Sequence, residues 1–342
     1  MLETVKTLCS LAGPSGWEDE VRDSILERVL PLADAVETDP MGNLLVFCRG
    51  RVTLPKPVMV CAHMDEVGII VTGVTDEGFL KFDFIGGVDR RVTMGRRVLI
   101  GQNRIPAIIG VKAYHLVSDD EEKKVPKTEE LYLDIGAESE AEALERVHLG
   151  DCGIFDSTPI EMGEGLLKAR AIDDRCGCAA MLKLMEGELP CDTWFVFTVQ
   201  EEVGARGGRT AAYRIDPALC LVLEGTTAAD IPGVAEEKRI CRVGGGVVIP
   251  FMDGGTLYDR GLYELASKTA EKNGIAWQTK TMIAGGTDAS GIQRSRGGVR
   301  TLALSVAMRN IHSPACVASV EDLENLPRLA ALVLEELVNE NS

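Results

Sequence analysis

Apolar residues along this chain come in short unbroken runs that stop at charge. Val58-Met59-Val60-Cys61-Ala62 ends at His63-Met64-Asp65-Glu66, Trp194 to Thr198 leads through Val199-Gln200 to Glu201-Glu202, and Ala218 to Leu223 ends at Glu224-Gly225. A fourth run, Val299 to Val306, leads into Met308-Arg309-Asn310-Ile311-His312. Runs of this length and composition read as strands buried on both faces of a parallel sheet. Between them, helical spacing marks Leu2 to Leu11, a segment starting near Trp17, Cys176 to Glu186, Arg209 to Tyr213, Tyr258 to Asn273 and Val320 to Val338. Further strands are expected at Val247 to Phe251 and Trp277 to Met282, and a helix after Gly285-Gly286-Thr287-Asp288. The pattern predicts an α/β fold with a mixed, mostly parallel sheet flanked by helices. Near the start, Ala35 to Thr38 and Leu44 to Cys48 flank Asp39-Pro40-Met41-Gly42-Asn43 and read as a hairpin. Ser15 with Glu18 matches the S-x-x-E capping box of a helix N-terminus.

From Val67 the character changes. Ile69 to Val74, Phe79 to Phe84, Val98 to Ile100 and Ala107 to Val111 are short β-prone segments separated by glycine-containing turns, which suggests a small barrel or sandwich. The charge run Asp119 to Lys124 reads as a solvated loop, and His115 and His148 as structural residues. The division expected is therefore an α/β domain formed by residues 1–66 and 165–342, interrupted by a β-rich insertion at 67–164. A length of 342 residues, beyond the usual single core, fits two domains.

A net charge of −17 argues against nucleic acid and against anionic membranes as partners. No apolar run approaches the roughly 20 residues of a membrane span. Met1 to Gly13 is amphipathic and carries Glu3 and Lys6, unlike a secretory signal. The ten cysteines show no C-x-x-C pair and no small disulfide framework, so a reduced, cytoplasmic protein is expected.

Collected in chain order, the element ends present His63 with Asp65, Asp173, Glu201 with Glu202, Glu224 and His312. Each alone has a plain explanation: a histidine satisfied within a core, a solvated glutamate pair, or an aspartate capping a helix, as Asp174 could. Together, two histidines and several carboxylates at sheet ends make the ligand set of two divalent ions, zinc or cobalt, with manganese also compatible, and with an acid able to bridge them. Along an extended segment His63 and Asp65 share a face. The chain carries no Gly-rich phosphate loop and no G-x-S-x-G elbow.

The blocks AHMDEVG (Ala62 to Gly68), AIDDRCG (Ala171 to Gly177), QEEVGARG (Gln200 to Gly207), GGTDA (Gly285 to Ala289) and NIHSP (Asn310 to Pro314) resemble the glutamyl aminopeptidase and TET aminopeptidase family, some of whose members carry the name endoglucanase. The resemblance runs over nearly the whole chain. It implies a co-catalytic dinuclear metallo-aminopeptidase that removes N-terminal residues from short peptides with a free N-terminus. It also implies a PDZ-like or barrel-like insertion serving oligomerisation and gating, with dimers assembling into a tetrahedral dodecamer. By position it makes His63 and Glu224 ligands of one ion, His312 and Glu202 ligands of the other, and Asp173 the bridge. Glu201 becomes the general base acting on a metal-activated water, and Asp65 the residue that orients His63. Thr287 and Asp288 are expected near the substrate amine. Many members have aspartate where this chain has Glu224. An alternative keeps both ions but makes the substrate a non-peptide amide. The residue preference is left open, with its pocket expected from the insertion and the stretch around Asp230 to Gly244.

Overall fold

The computed structural model describes residues 1–340. One large sheet and one closed barrel account for the strands. The large sheet runs in the order Ala35–Thr38, Leu44–Cys48, Thr193–Thr198, Val58–His63, Leu219–Thr227, Arg300–Arg309, Cys316–Ser319, Leu166–Ala169 and Ile160–Met162, with Val247–Ile249 and Trp277–Thr279 branching from Arg300–Arg309. Its four central strands, Thr193–Thr198 through Arg300–Arg309, are parallel. Parallel strands need long crossovers, and the helices that supply them cover the sheet: Ile172–Met185 packs on Val58–His63 and Leu219–Thr227, and against Leu2–Ser10 and Val320–Glu340. Val58–His63 is buried along its whole length, as an unbroken apolar run requires.

The register fixes what reaches the C-terminal edge. Thr198 lies opposite His63, so the segment carrying Glu201 and Glu202 starts level with the histidine. The strand expected to stop at Leu223 continues to Thr227, because its pairing with Arg300–Arg309 extends to Thr227 opposite Met308 while its pairing with Val58–His63 ends at Val222. Glu224 therefore sits where the strand has lost one neighbour, beside His63.

The second unit is a closed antiparallel barrel of Gly68–Val74, Leu80–Ile85, Tyr132–Asp134, Ile105–Gly110, Arg97–Ile100 and Cys152–Phe155. It has its own core of Ile69, Val71, Leu80, Val98, Ile100, Ile109 and Leu133. Tyr132–Asp134 and Cys152–Phe155 were not visible as strands in the sequence. Three or four residues are too few to show a period, and barrel closure supplies their partners. After the barrel, Ile160–Met162 already pairs with Leu166–Ala169 in the large sheet.

Two local expectations change. The second helix starts at Asp19, and Ser15 and Glu18 do not form a capping box on it: Ser15 Oγ donates to Asp65, and Glu18 accepts from the Gly16 and Gln200 amides. The run Asp119 to Lys124 contains a short helix, Asp119–Glu122, entered through Ser118, whose amide and hydroxyl both donate to Glu121. That S-x-x-E reaches back as the motif predicts. His115 and His148 are exposed on the insertion. All ten cysteines are buried and free, and no described helix is long and apolar enough to cross a membrane.

Candidate metal centre

The chain brings its charged strand and helix ends to one place. His63, the last residue of its strand, sits with Nε2 3.4 Å from Asp173 Oδ1 and 3.3 Å from Glu224 Oε1. Asp173 lies in the first turn of Ile172–Met185 with non-helical backbone angles, which turn its carboxylate out of the helix. Its other oxygen, Oδ2, is 3.3 Å from His312 Nε2, and His312 Nε2 is in turn 3.2 Å from Glu202 Oε2. The arrangement is two half-sites, His63 with Glu224 and His312 with Glu202, sharing the Asp173 carboxylate.

The far side of each imidazole is tied down. His312 Nδ1 is 2.9 Å from the Gly87 carbonyl. That oxygen only accepts, so Nδ1 carries a proton and donates, which leaves Nε2 as the nitrogen that could bind a metal. His63 Nδ1 lies 3.1 Å from the Asp65 carbonyl and 3.4 Å from Asp65 Oδ1. Asp65 is fully buried and accepts from Ser15 Oγ at 2.6 Å, Glu201 N at 3.0 Å and Glu202 N at 3.1 Å.

Crowded, desolvated carboxylates shift in the directions expected. Burial raises Glu201 and Glu224 well above the ordinary glutamate range and pushes Glu202 up to about 8. Burial works to lower His312, but hydrogen bonding to Asp173 and the charge of Glu202 overcome it and move the imidazole up to about 9. Asp173 is held low against burial by the two histidines. Two buried acceptors, Asp173 Oδ1 and Glu202 Oε1, have no hydrogen-bond donor. Buried carboxylate oxygens without a donor, in a cluster of carboxylates and imidazoles, suit a bound cation, and the donor set could hold one: ligand atoms of His63, Asp173 and Glu202 lie within 4.8 Å of one another, as do those of His63, Asp174 and Glu224.

Asp174 was legible only as a helix cap. It does accept from Gly177 N at 2.9 Å, yet its Oδ2 takes the His63 amide at 3.2 Å and it stands within reach of the first half-site. Thr287 and Asp288 are tied to the surrounding framework. Asp288 is buried with Oδ2 2.5 Å from Thr198 Oγ1, and Thr287 Oγ1 is 3.3 Å from the Tyr258 hydroxyl. Sequence reasoning missed two further contributors. The Gly86-Gly87 turn of the barrel packs on both Glu202 and His312. Arg170 and Arg175 bind Glu66, next to Asp65.

Histidine and carboxylate groups able to hold metal, gathered at the C-terminal edge of a parallel sheet beside a closed barrel, fit the class of metal-dependent hydrolases. The chain belongs to the M42 glutamyl aminopeptidase family, whose model matches residues 42–329. Among curated proteins it is 32% identical to the lysyl aminopeptidase of Pyrococcus furiosus over 344 residues, covering 98% of this chain and 97% of that one. Among solved structures it resembles the aminopeptidase APDkam598 from the archaeon Desulfurococcus kamchatkensis, with a TM-score of 0.93, 36% identity and coverage of 98% and 94%. It also resembles the TET1 peptidase of Pyrococcus horikoshii, which can assemble into a tetrahedron or a large octahedral shell, with a TM-score of 0.85, 34% identity and coverage of 98% and 99%.

Proposed function

We propose that this protein is a dinuclear metal-dependent aminopeptidase that removes N-terminal residues from short peptides with a free N-terminus. The observation that carries the reading is the shared carboxylate, with one oxygen of Asp173 beside each histidine and one glutamate completing each half-site. His63 and Glu224 would hold one ion and His312 and Glu202 the other, with the Asp173 carboxylate shared between the two groups. Zinc, cobalt and manganese all suit imidazole and carboxylate donors.

When bound, such ions lower the pKa of a water and polarise the scissile carbonyl. The rest is done by the chain. Glu201, adjacent in sequence to the ligand Glu202, accepts the proton of the attacking water and passes it to the leaving amine nitrogen. Asp65 keeps the His63 ring in place and anchors the backbone of Glu201 and Glu202. Thr287 and Asp288 would receive the substrate amine. The assembly of the similar TET1 peptidase into a tetrahedron or a large octahedral shell supports a homo-oligomer; in our reading dimers would build a tetrahedral dodecamer, with the barrel at 67–164 contributing contacts and restricting entry. Ten buried free thiols suit the reducing cytoplasm.

The test is a panel of aminoacyl-nitroanilides, with protein stripped by chelator and refilled with zinc, cobalt or manganese. Activity is expected to return with metal and to fall about 10²- to 10⁴-fold in Glu201→Gln, the range for losing a general base. N-acetylated substrates should be refused. A refilled protein that binds two ions yet cleaves only blocked or non-peptide amides would overturn the peptidase reading.

A further inference from the structure

Four successive backbone amides run through the segment that carries Glu201 and Glu202, and each ends on a different side-chain oxygen. Val199 N donates to Asn43 Oδ1 at 3.0 Å, Gln200 N to Glu18 Oε1 at 3.2 Å, Glu201 N to Asp65 Oδ1 at 3.0 Å and Glu202 N to Asp65 Oδ2 at 3.1 Å. None of these partners is on the same element as the segment. Asn43 comes from the hairpin turn, where it is itself held by Asp39. Glu18 and Ser15 come from the loop between the first two helices, and Ser15 Oγ donates to Asp65 Oδ2 at 2.6 Å. All four side chains are at least nine-tenths buried.

The segment needs such a brace. Gln200 has φ +56°, in the left-handed region that a residue with a side chain rarely occupies without support. Outside the strand, its amides have no ladder partners, and a buried unpaired amide is costly. The brace is itself fixed, since Glu66 N donates to Gly13 O at 3.0 Å and Ser15 N to Glu66 O at 3.3 Å, which locks the 13–18 loop onto the turn after His63. A sequence motif legible only as a helix cap thus sits between the His63 turn and the Glu201 segment.

We propose that Ser15 and Glu18 are positioning residues for catalysis: Glu18 holds the backbone that aims the Glu201 carboxylate, and Ser15 holds Asp65, through which it sets both that backbone and the His63 ring. The inference rests on Glu201 being the general base. Glu18 acts as an acceptor and does not need its charge. Burial pushes its carboxyl up to about 7, and glutamine offers the same oxygen.

The experiment uses the full-length, metal-loaded protein with Ser15→Ala, Ser15→Thr, Glu18→Ala and Glu18→Gln, alongside Glu201→Gln, each assayed below its own melting transition. Glu18→Ala is expected to lower kcat about 10- to 100-fold, the usual cost of losing a supporting hydrogen bond behind a metal centre. KM and the affinity for zinc measured by calorimetry should stay within about twofold, and Glu18→Gln should restore the rate. Ser15→Ala should lower kcat similarly and also weaken zinc binding about tenfold, through His63, with Ser15→Thr restoring both. If the wild type is active and Glu201→Gln is not, while Glu18→Ala and Ser15→Ala turn over at the wild-type rate, the positioning role is wrong and the aminopeptidase reading stands. If the wild type cleaves none of the panel, the aminopeptidase reading fails, and the zinc titration decides for Ser15 alone: weaker binding in Ser15→Ala supports its hold on His63, and unchanged binding overturns it.

Discussion

Glu66 lies one residue from Asp65 and is buried to 3% exposure between two guanidinium groups that are themselves almost inaccessible. Both its oxygens face Arg170 Nη1, Oε1 is 3.2 Å from Arg175 Nη2, and the Gly13 amide also donates to it. Arg170 and Arg175 extend the cluster to the carbonyls of Leu8 and Leu11, so one carboxylate compensates two cations across the first helix, the His63 turn and the helix of Asp173. Glu66→Gln keeps the shape and one acceptor oxygen but removes the only negative charge of the triad and aims an NH2 group at a guanidinium. Breaking a buried pair by neutralising one partner costs about 3–5 kcal/mol. At about 2 °C per kcal/mol for a large domain, the melting temperature should fall by roughly 6–10 °C. The comparison is Glu335→Gln, which breaks the contact with Arg51 at 2.5 Å where both partners are more than two-fifths exposed. Screening and side-chain entropy leave such surface pairs about 0–1 kcal/mol, or roughly 2 °C at most. Both variants are melted beside the wild type at the same zinc concentration and scan rate. Equal, small shifts for the two would refute the assignment of Glu66 as the buried keystone of this face.

Three further outcomes follow from the same geometry. Gly86 has φ +78°, and a Cβ there would stand 2.9 Å from Val67 Cγ1 and 3.3 Å from Glu202 Cβ, so, if the proposed two-ion site is right, Gly86→Ala should weaken metal binding at Glu202 and His312 about tenfold or more and spare binding at His63 and Glu224, read by calorimetric titration. Stripping the protein with chelator should lower its melting temperature in proportion to how tightly the metal was held, about 4 kcal/mol for metal at 1,000 times its Kd, and an unchanged melt would mean that nothing was bound at the cluster. Glu18 is raised to about 7 by burial, with Asp65 adding to the shift and the Gly16 and Gln200 amides opposing it. The stability its protonated form contributes is complete below the unfolded value near 4.5 and is lost as pH rises through 7. Glu18→Gln should therefore gain on the wild type between pH 5 and pH 8, by up to about 3 kcal/mol; a constant difference in melting temperature across that range would refute it.

The parallel sheet was legible because its strands are buried on both faces and so are written as unbroken apolar runs. The candidate ligands were legible for a related reason. A charged residue directly after such a run can only be at the sheet's edge, and Val58–His63, Thr193–Thr198 and Arg300–Arg309 point the same way. Glu224 shows where that logic loosens. It lies inside its strand, and it reaches His63 because Val58–His63 ends earlier than its neighbour, a fact of register that one strand's sequence does not carry.

What stayed hidden depends on contacts between segments far apart in the chain. Gly87 meets His312 across 225 positions, Ser15 meets Asp65 across 50, and Glu18 meets Gln200 across 182. Ser15 and Glu18 show why local rules misread such residues. A serine and a glutamate three apart, just ahead of a helical pattern, satisfy each other as a cap when nothing better is near, and at Ser118 and Glu121, exposed on the insertion, they do so. At Ser15 and Glu18 the stronger claim comes from a buried carboxylate and from an amide with no ladder partner, both of which cost more to leave unpaired than the first turn of a surface helix, whose amides water can reach. The same four-residue spelling thus has two outcomes, decided by burial. The outcome that departs from the local rule is the one that lies against the segment proposed to be catalytic, which is where departures from local preference are expected to collect.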